Sequence, residues 1–323
     1  MRILVAGGTS FVGRAIAWAA VNAGHQVTVI NRGITPSDLP QSVTRLIGDR
    51  GGDLSALSGL SFDATVDTTA YRPRNVEVLA TALGDRGGHH LQISSVSAYA
   101  DPPSEGATEL TAQLWDEGLF DHDSPITNES YGPLKAACER SAHQYFGKQL
   151  TIVRPTYVIG SHDATLRFPY WVQRALRGGR IAVPGPHSSA MQYIDARDLG
   201  EFVVTLLSNR TTGEFHAAQP FPAPRFVEFI ESVATHLGPA GTEVVGVSPE
   251  RVIELDLESK FPLWTGTPTE TALAMNPAAA LAAGLRYRTL HETIDDVVSW
   301  WGDKPWPPTW LTAEEETRLL PSP

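Results

Sequence analysis

The sequence RILVAGGTSFVGRAIAWAAVNAGHQVTVINR, residues 2–32, predicts one strand, a glycine turn, one helix and a second strand. The apolar run 2–6 is short enough for a strand buried on both faces, and it meets the glycine-rich stretch 7–13 without a spacer. From residue 14, alanines and one isoleucine recur at helical spacing until Gly24, and residues 25–30 then alternate like a strand. This order is half of a mononucleotide-binding fold.

The glycine turn predicts a phosphate site. A phosphate can lie on a helix N-terminus only if no side chain blocks the backbone N–H groups or the tight turn. Gly7 and Gly13 suit the first and last glycine positions of such a turn, whereas Ser10 replaces the middle one. The strand before it and the helix after it favour a dinucleotide site over a plain turn. The residues predicted to line that site are Gly7, Thr9, Ser10, Phe11, Val12 and Gly13.

The end of the second strand indicates which cofactor binds, because the residue there lies beside the adenosine ribose. An acidic residue would favour NAD, whereas this chain has Asn31 and Arg32. The carboxylate that would repel a 2′-phosphate is absent, and a guanidinium that can bind one is present. We expect NADP as the cofactor, with NAD as the alternative if Arg32 is only a solvated side chain that begins a loop.

Composition excludes several classes of partner. A net charge of −11 and a pI near 5.4 disfavour nucleic acids and acidic membranes, because both attract basic surfaces. No apolar run approaches the ~20 residues that cross a bilayer. The first strand begins at Arg2, which leaves no room for a secretory signal, and the single cysteine, Cys138, suits a reducing compartment. We therefore expect a cytoplasmic protein without a membrane partner.

Strands and helices alternate through the first half of the chain. Further strands are predicted at 43–47, 62–67 and 91–94, and helices at 52–59 and 75–84. This alternation predicts an α/β fold with a doubly wound parallel sheet, in which ligands bind at the carboxyl ends of the strands.

Two strand ends carry residues suited to a dinucleotide. Asp49 follows the third strand, where it could accept a hydrogen bond from an adenine amino group or, equally well, cap a turn. The small residues Thr68, Thr69 and Ala70 follow the fourth strand, where a dinucleotide must pass close to the backbone. No histidine or cysteine has a partner at metal-ligand spacing, so no metal site is predicted.

A serine-rich strand end and a tyrosine–lysine pair supply acid–base chemistry. The fifth predicted strand leads into Ser95, and a long loop rich in Asp, Glu and Pro then leads to a helix with Ser130 as its predicted N-cap. Tyr131 and Lys135 share one face of that helix. A fixed ammonium stabilises a nearby phenolate, which lets a tyrosine exchange a proton near neutral pH. The alternative is a surface pair without chemistry.

These motifs resemble the extended short-chain dehydrogenase/reductase superfamily, also called the NAD-dependent epimerase/dehydratase family, over most of the chain. The resemblance implies that Tyr131 and Lys135 form the family's Tyr-x-x-x-Lys pair and also contact the cofactor. It implies that Ser95 takes the catalytic Ser/Thr position. The remaining cofactor contacts that it implies, each after a strand, are Asn31, Arg32, Asp49, Arg50, Thr68, Thr69, Ala70 and Pro155.

Two departures from the family pattern narrow the activity. Family dehydratases place Asp-Glu directly after the catalytic Thr, whereas Val96 and Ser97 occupy those positions here and neither can act as the acid or base for loss of water. Many sugar-nucleotide enzymes carry a diphosphate-clamping arginine where this chain has Met191. The sequence therefore disfavours dehydration and weakens the case for a nucleotide-sugar substrate, although Arg167 or Arg225 could replace the missing arginine.

A closer resemblance is to one branch of the family. Asn-Arg-Gly at 31–33 and Gly-Asp-Arg at 48–50 resemble a branch that includes chloroplast stem-loop-binding relatives. Those relatives bring RNA binding into consideration. The acidic charge and the absence of a basic run with interleaved aromatic residues argue against it.

The second half predicts a smaller lobe that is interleaved with the first. We expect a dinucleotide-binding domain at 1–155, a return to it at 190–215, and a lobe for substrate in the rest of 156–323. Candidate substrate contacts are Ser97, Tyr157, His162, Phe168, Trp171 and Met191. An aromatic residue at helical spacing is more often part of a core, so packing is the alternative for these side chains.

The sequence thus predicts an NADP-dependent oxidoreductase that transfers a hydride between nicotinamide and a carbonyl or secondary alcohol of a small molecule, with Tyr131 as general acid and base. One alternative is a sugar or nucleotide-sugar epimerase that retains its NAD(P). Another is a dinucleotide- or RNA-binding protein without turnover. We expect no nucleic-acid partner, and the family resemblance leaves a homodimer open.

Overall fold

The computed structural model describes residues 1–100, 104–116, 118, 120–185, 190–264, 274–306 and 310–321. Its strands are β1 Arg2–Ala6, β2 Gln26–Asn31, β3 Thr44–Ile47, β4 Ala64–Asp67, β5 His89–Ile93, β6 Leu150–Pro155, β7 Tyr157–Ile159, β8 Arg180–Pro184, β9 Tyr193–Asp195, β10 Gly213–Ala217 and β11 Glu243–Val247. Its helices are α1 Phe11–Asn22, α2 Pro73–Leu83, α3 Asn128–Phe146, α4 Arg167–Arg177, α5 Ala196–Ser208, α6 Phe226–Leu237, α7 Pro249–Glu254, α8 Ala278–Ala282, α9 Leu290–Trp301 and α10 Ala313–Leu319.

A seven-stranded sheet organises the first lobe. Its strand order is β10-β6-β5-β4-β1-β2-β3, and every neighbouring pair is parallel. The chain runs outward from β1 to β3 and then returns to β4 on the other side of β1, so the order reverses between β1 and β4. In open parallel sheets, ligands bind beside the carboxyl ends of the strands at such a reversal. The sheet confirms the predicted doubly wound α/β fold.

Helices cover both faces of this sheet because its central strands are apolar on both sides. Ile3 of β1 packs in one cluster with Ile16 of α1 and Phe202 of α5. The next residue, Leu4, points to the opposite face and packs with Leu79 of α2. Burial of each such side chain contributes about 1.5–3 kcal/mol. These two apolar layers hold the strand ends, and the turns that follow them, in fixed positions.

A segment from the second half of the chain returns to this sheet. α5 packs on α1, and Gly200 permits the close approach, because a Cβ there would lie 2.7 Å from the Ala15 carbonyl oxygen. β10 then pairs with β6, with Gly213 opposite Thr151, and forms the edge strand of the sheet. Residues 196–217 therefore lie with the first lobe, and the two lobes are interleaved.

The second lobe has an apolar core of its own. β8 pairs with β11 and β7 with β9, and both pairs are parallel. Aromatic side chains from α4 and α6 fill the centre, including Trp171, whose indole N–H donates to the Pro262 carbonyl at 2.8 Å. Glu316 of α10 is buried and accepts from Arg174 of α4, which fixes the C-terminal helix on this lobe. No helix within the described ranges is both long and apolar enough to span a membrane.

Two local predictions are wrong. The helix expected over 52–59 is only a 3₁₀ turn at Ser55–Leu57, which Asp53 begins by accepting from the Ser55 N–H at 2.8 Å. The N-cap of α3 is Thr127 rather than Ser130, so that helix begins earlier than expected. Thr127 and Ser130 instead form a reciprocal cap in which each backbone N–H donates to the other residue's hydroxyl, at 2.8 and 3.3 Å.

Candidate active site

The turn between β1 and α1 leaves backbone N–H groups open at the point where the strand order reverses. Gly7 has a φ of +101°, and a Cβ there would lie closer than 3.0 Å to the side chains of Thr68 and Thr69. Ser10 is the N-cap of α1, but its side chain makes no capping hydrogen bond. The first N–H groups of α1 have no intrahelical partner, and a helix N-terminus attracts phosphate. The turn is therefore shaped for a pyrophosphate.

A buried ion pair fixes the loop that follows β4. Arg50 donates from its two terminal nitrogens to the two carboxylate oxygens of Asp67, at 2.7 and 2.6 Å, and also to Thr69 Oγ1 and the Asn75 carbonyl. Burial alone would raise the pKa of Asp67, but the charge and hydrogen bonds of Arg50 outweigh it and hold that pKa below its usual range. The pair keeps Thr68 and Thr69 beside the glycine turn.

Lys135 lies beneath the cavity and is almost fully buried. Its ammonium donates to the carbonyl oxygens of Ala70 at 3.0 Å and Ile93 at 2.7 Å. Ala70 lies in the loop after β4, and Ile93 is the last residue of β5. An ammonium carries three N–H donors, so one remains for a ligand. Tyr131 lies one helical turn before it on α3, and the Tyr71 ring lies 6.4 Å from the Tyr131 ring. The helix thus places a cation and a phenol on the same side of the sheet.

Ser95 follows β5, and its hydroxyl oxygen accepts from the Ser97 N–H at 3.1 Å. The loop that carries it is anchored by Tyr99, whose buried hydroxyl lies 2.9 Å from Arg154 Nη1. Arg154 in turn makes two hydrogen bonds to Glu139 on α3, at 2.9 and 2.6 Å. Burial alone would lower the pKa of Arg154, and the contact with Glu139 outweighs it and raises that pKa. This network fixes the Ser95 loop relative to α3.

These elements enclose a cavity of about 790 Å³, a size typical of cofactor and substrate sites. The predicted residues that line it are Gly7, Ser10, Phe11, Val12, Gly13, Thr68, Thr69, Ser95, Ser97, Tyr131, Lys135, Pro155 and Tyr157. Two further hydroxyls on its wall, those of Ser94 and Thr156, are buried and have no hydrogen-bond partner within the described part of the chain. The open glycine turn, the spare donor of Lys135 and these two hydroxyls fit an extended dinucleotide.

A family model matches about two thirds of the chain. The model described as the NAD dependent epimerase/dehydratase family matches residues 3–217, from β1 through β10. The chain belongs to the NAD-dependent epimerase/dehydratase family. It is an NAD(P)-dependent enzyme of the extended short-chain dehydrogenase/reductase type, which confirms the resemblance seen in the sequence.

Named relatives of this family member differ in what they do. The chain is 26% identical over 224 residues to the chloroplast stem-loop binding protein of 41 kDa b of Arabidopsis thaliana, which covers 64% of this chain and 55% of that protein. It is 27% identical over 252 residues to 2′-dehydrokanamycin reductase of Streptomyces kanamyceticus, with 74% of this chain and 67% of that protein covered. The chain thus matches little more than half the length of the first relative.

Solved structures share the fold. Human epimerase family protein SDR39U1, solved with NADPH, has a TM-score of 0.64 at 20% identity and covers 93% of this chain and 99% of its own. The Bordetella bronchiseptica enzyme WbmH, solved with NAD⁺, has a TM-score of 0.68 at 15% identity and covers 93% and 97%. The same fold therefore accommodates either dinucleotide.

Other predicted cofactor contacts lie away from the cavity wall of this family member. Asp49 Oδ1 accepts from the Gly51 N–H at 2.8 Å and so caps a turn, while Arg50 is held by Asp67. Asn31 accepts from the Gly33 N–H at 2.7 Å, and Arg32 is exposed. The Ala70 carbonyl accepts a hydrogen bond from Lys135, and Thr9 is buried in the glycine turn. Their roles toward a cofactor stay predictions.

Four predicted substrate contacts lie elsewhere in the second lobe. Phe168, Trp171 and Met191 are buried in the apolar core of that lobe and do not line the cavity. Spacing in the sequence does not distinguish a core aromatic from a wall aromatic. His162 lies against the Trp300 ring at 5.1 Å, and burial lowers its pKa.

Several residues on the cavity wall are not among the cofactor and substrate contacts predicted from the sequence. Ser94 and Thr156 follow β5 and β6 directly, so the rule that placed Thr68 at a strand end would also have found them. Thr165 and Trp310 come from the second lobe and no local pattern marks them, whereas Arg167, also on this wall, is one of the two arginines that the sequence offers in place of the missing diphosphate clamp. Folding alone brings them to the dinucleotide side.

Proposed function

We propose that the protein is an NADP-dependent reductase that converts a carbonyl of a small molecule to a secondary alcohol, and catalyses the reverse oxidation. One observation supports this proposal above the rest: Ser95, Tyr131 and Lys135 line the same cavity as the glycine turn. The glycine turn would hold the pyrophosphate of a dinucleotide, and the three side chains share the cavity in which the rest of the cofactor would lie. The cofactor, when bound, supplies or accepts the hydride.

The protein supplies the proton and the polar contacts. Tyr131 donates its hydroxyl proton to the carbonyl oxygen as that oxygen gains charge, and takes the proton back in the reverse direction. The Ser95 hydroxyl turns from Ser97 to donate to the same oxygen. Lys135 keeps two donors on backbone carbonyls, and its third donor would hold a ribose hydroxyl of the cofactor.

The arginine at the end of β2 supports NADP rather than NAD. Arg32 is exposed, and within the described ranges its side chain makes no hydrogen bond or ion pair. Arg14, which is the other candidate guanidinium nearby, is held by two hydrogen bonds to Asp38 at 2.7 and 2.5 Å. Arg32 is therefore the guanidinium available for a 2′-phosphate, and NAD is the alternative cofactor.

Replacement of Tyr131 by Phe tests the proposal. Loss of a general acid lowers kcat by about 10²- to 10⁴-fold while NADPH affinity changes little, because the ring still packs in place. The assay is NADPH oxidation with a panel of ketones, followed by absorbance. Tyr145→Phe is the matched control, since Tyr145 is an exposed residue of the same helix. Turnover near the wild-type value in Tyr131→Phe would refute the assignment.

The same assay separates two other functions. An epimerase with retained cofactor would convert substrate without added NADPH and without net absorbance change, and bound nicotinamide would survive purification. A non-catalytic protein would instead bind structured RNA with salt-sensitive affinity and reduce no carbonyl. With a net charge of −11, we expect no nucleic-acid partner and a small-molecule substrate.

A further inference from the structure

The wall of the active-site cavity is positively charged in an acidic protein. Among the described residues that line it, Lys135 and Arg167 carry charge and none is acidic, whereas the whole chain has a net charge of −11. Lys135 lies one helical turn after Tyr131 on α3, and two backbone carbonyls hold its ammonium. Arg167 is the first residue of α4 and comes from the second lobe. The proposed mechanism assigns a role to Lys135, but no step of the proton transfer involves Arg167.

The Arg167 guanidinium is oriented but not neutralised. Its Nε donates to Thr165 Oγ1 at 3.1 Å, and that hydroxyl donates to Asp163 Oδ1 at 2.6 Å. Asp163 is buried and also accepts the backbone N–H groups of Thr165 and Arg167, at 2.9 and 3.3 Å. Within the ranges that the structure describes, the two terminal nitrogens of Arg167 have no hydrogen-bond partner, and no carboxylate lies within ion-pairing distance.

One aromatic ring lies over this guanidinium. Its central carbon lies 5.9 Å from the centre of the Tyr157 ring, and Trp310 lines the same wall. A guanidinium held against an aromatic ring keeps its planar fork free for a carboxylate or phosphate, which it binds with two hydrogen bonds. Water competes less well for such a cation in a cavity than on an open surface.

We propose that Arg167 binds an anionic group of the substrate, a carboxylate or a phosphate, so that the enzyme acts on anionic carbonyl compounds. This inference rests on the proposed function, because that function makes the cavity a substrate site. Arg167 then determines specificity and leaves the proton transfer to Tyr131. The dinucleotide's own phosphates are a second source of the same anionic chemistry, and the experiment has an arm for each source.

Direct binding tests the inference without turnover. Protein saturated with NADP⁺ is titrated in a calorimeter with 3-hydroxyoctanoate and with its neutral amide, and then with glucose 6-phosphate and glucose. We expect the wild type to bind at least one anion about tenfold more tightly than its neutral counterpart, because a hydrogen bond between charged groups stabilises a complex by about that factor. Arg167→Met abolishes that preference, and Arg167→Lys retains part of it. Arg177→Met, an exposed change at the other end of α4, leaves it unchanged.

Three outcomes would overturn the inference. Wild type binds neither anion more tightly than its neutral partner, or the preference survives in Arg167→Met. In the third, Arg167→Met weakens the binding of NADPH about tenfold and leaves the anion preference intact, which would mean that the guanidinium binds the cofactor instead of the substrate. The reductase proposal has its own test. If the wild type reduces a carbonyl and Tyr131→Phe does not, that proposal holds whether or not the enzyme prefers anions.

Discussion

Substitution of Gly7 by Ala tests whether the turn after β1 is built for the close approach that a pyrophosphate needs. The added Cβ would lie closer than 3.0 Å to Thr68 Oγ1 and Thr69 Cγ2. Neither side chain is free to move. Thr68 Oγ1 donates to the Ala6 carbonyl at 2.8 Å, and Thr69 Oγ1 accepts from Arg50, which Asp67 holds in place, at 3.0 Å. Relief of the overlap must therefore displace the turn or break one of these hydrogen bonds.

The magnitude has two parts. A φ of +101° is a backbone conformation that alanine rarely adopts, and forcing it costs about 1–3 kcal/mol. Overpacking against two held side chains adds about 1–3 kcal/mol. We expect Gly7→Ala to lower the free energy of unfolding by about 2–6 kcal/mol. It should also weaken NADPH binding at least tenfold, because the open N–H groups of α1 lie in the displaced segment.

Gly24→Ala is the matched control. Gly24 also has a positive φ, +77°, but a Cβ there would meet nothing within 4 Å, so only the backbone cost of about 1–2 kcal/mol applies. Urea unfolding measures stability, and quenching of tryptophan fluorescence measures NADPH affinity. Equal losses of stability in the two variants, with NADPH affinity unchanged in Gly7→Ala, would refute the reasoning.

Two further substitutions make separate predictions. His90 is fully buried against the Phe146 ring, and burial lowers its pKa to about 3, so the unfolded chain binds its proton first and stability falls as pH drops below 6.5. Between pH 7 and pH 5 this costs wild type about 2 kcal/mol that His90→Leu does not lose, as urea unfolding at both pH values would show; parallel pH curves would contradict it. Arg32→Gln should weaken NADPH about tenfold and leave NADH unchanged in fluorescence titrations, and equal effects on both cofactors would exclude a 2′-phosphate contact.

Local patterns in the sequence predicted the sheet well, because buried strands and amphipathic helices have distinct periods. β1, β2 and α1 follow directly from residues 2–32. The segment 52–59 does not form the predicted helix, although Leu54 and Leu57 have helical spacing. The glycines on either side of them leave room for only one 3₁₀ turn, at whose start the Asp53 carboxylate accepts from the Ser55 N–H.

Some residues of the candidate site are predicted by local patterns, and others reach it only through tertiary packing. The rule that ligands meet strand ends placed Gly7, Thr68 and Ser95 on one wall, because parallel strands bring their carboxyl ends to one edge. Arg50 follows a strand too, but it is bound to Asp67, a residue of another strand. Arg167 reaches the cavity only through the packing of the second lobe. Contacts between distant segments leave no periodic trace in a sequence.

The return of β10 to the edge of β6 has a consequence for biosynthesis. While the ribosome is still adding residues 156–212, β6 has an unpaired edge and the face of α1 that α5 will cover is bare. An unpaired edge beside exposed apolar surface is what chaperones recognise and what aggregates form from. A gene fragment that stops at residue 155 therefore encodes an incomplete sheet. The nascent first lobe stays prone to aggregation until α5 and β10 have been translated and have packed against it.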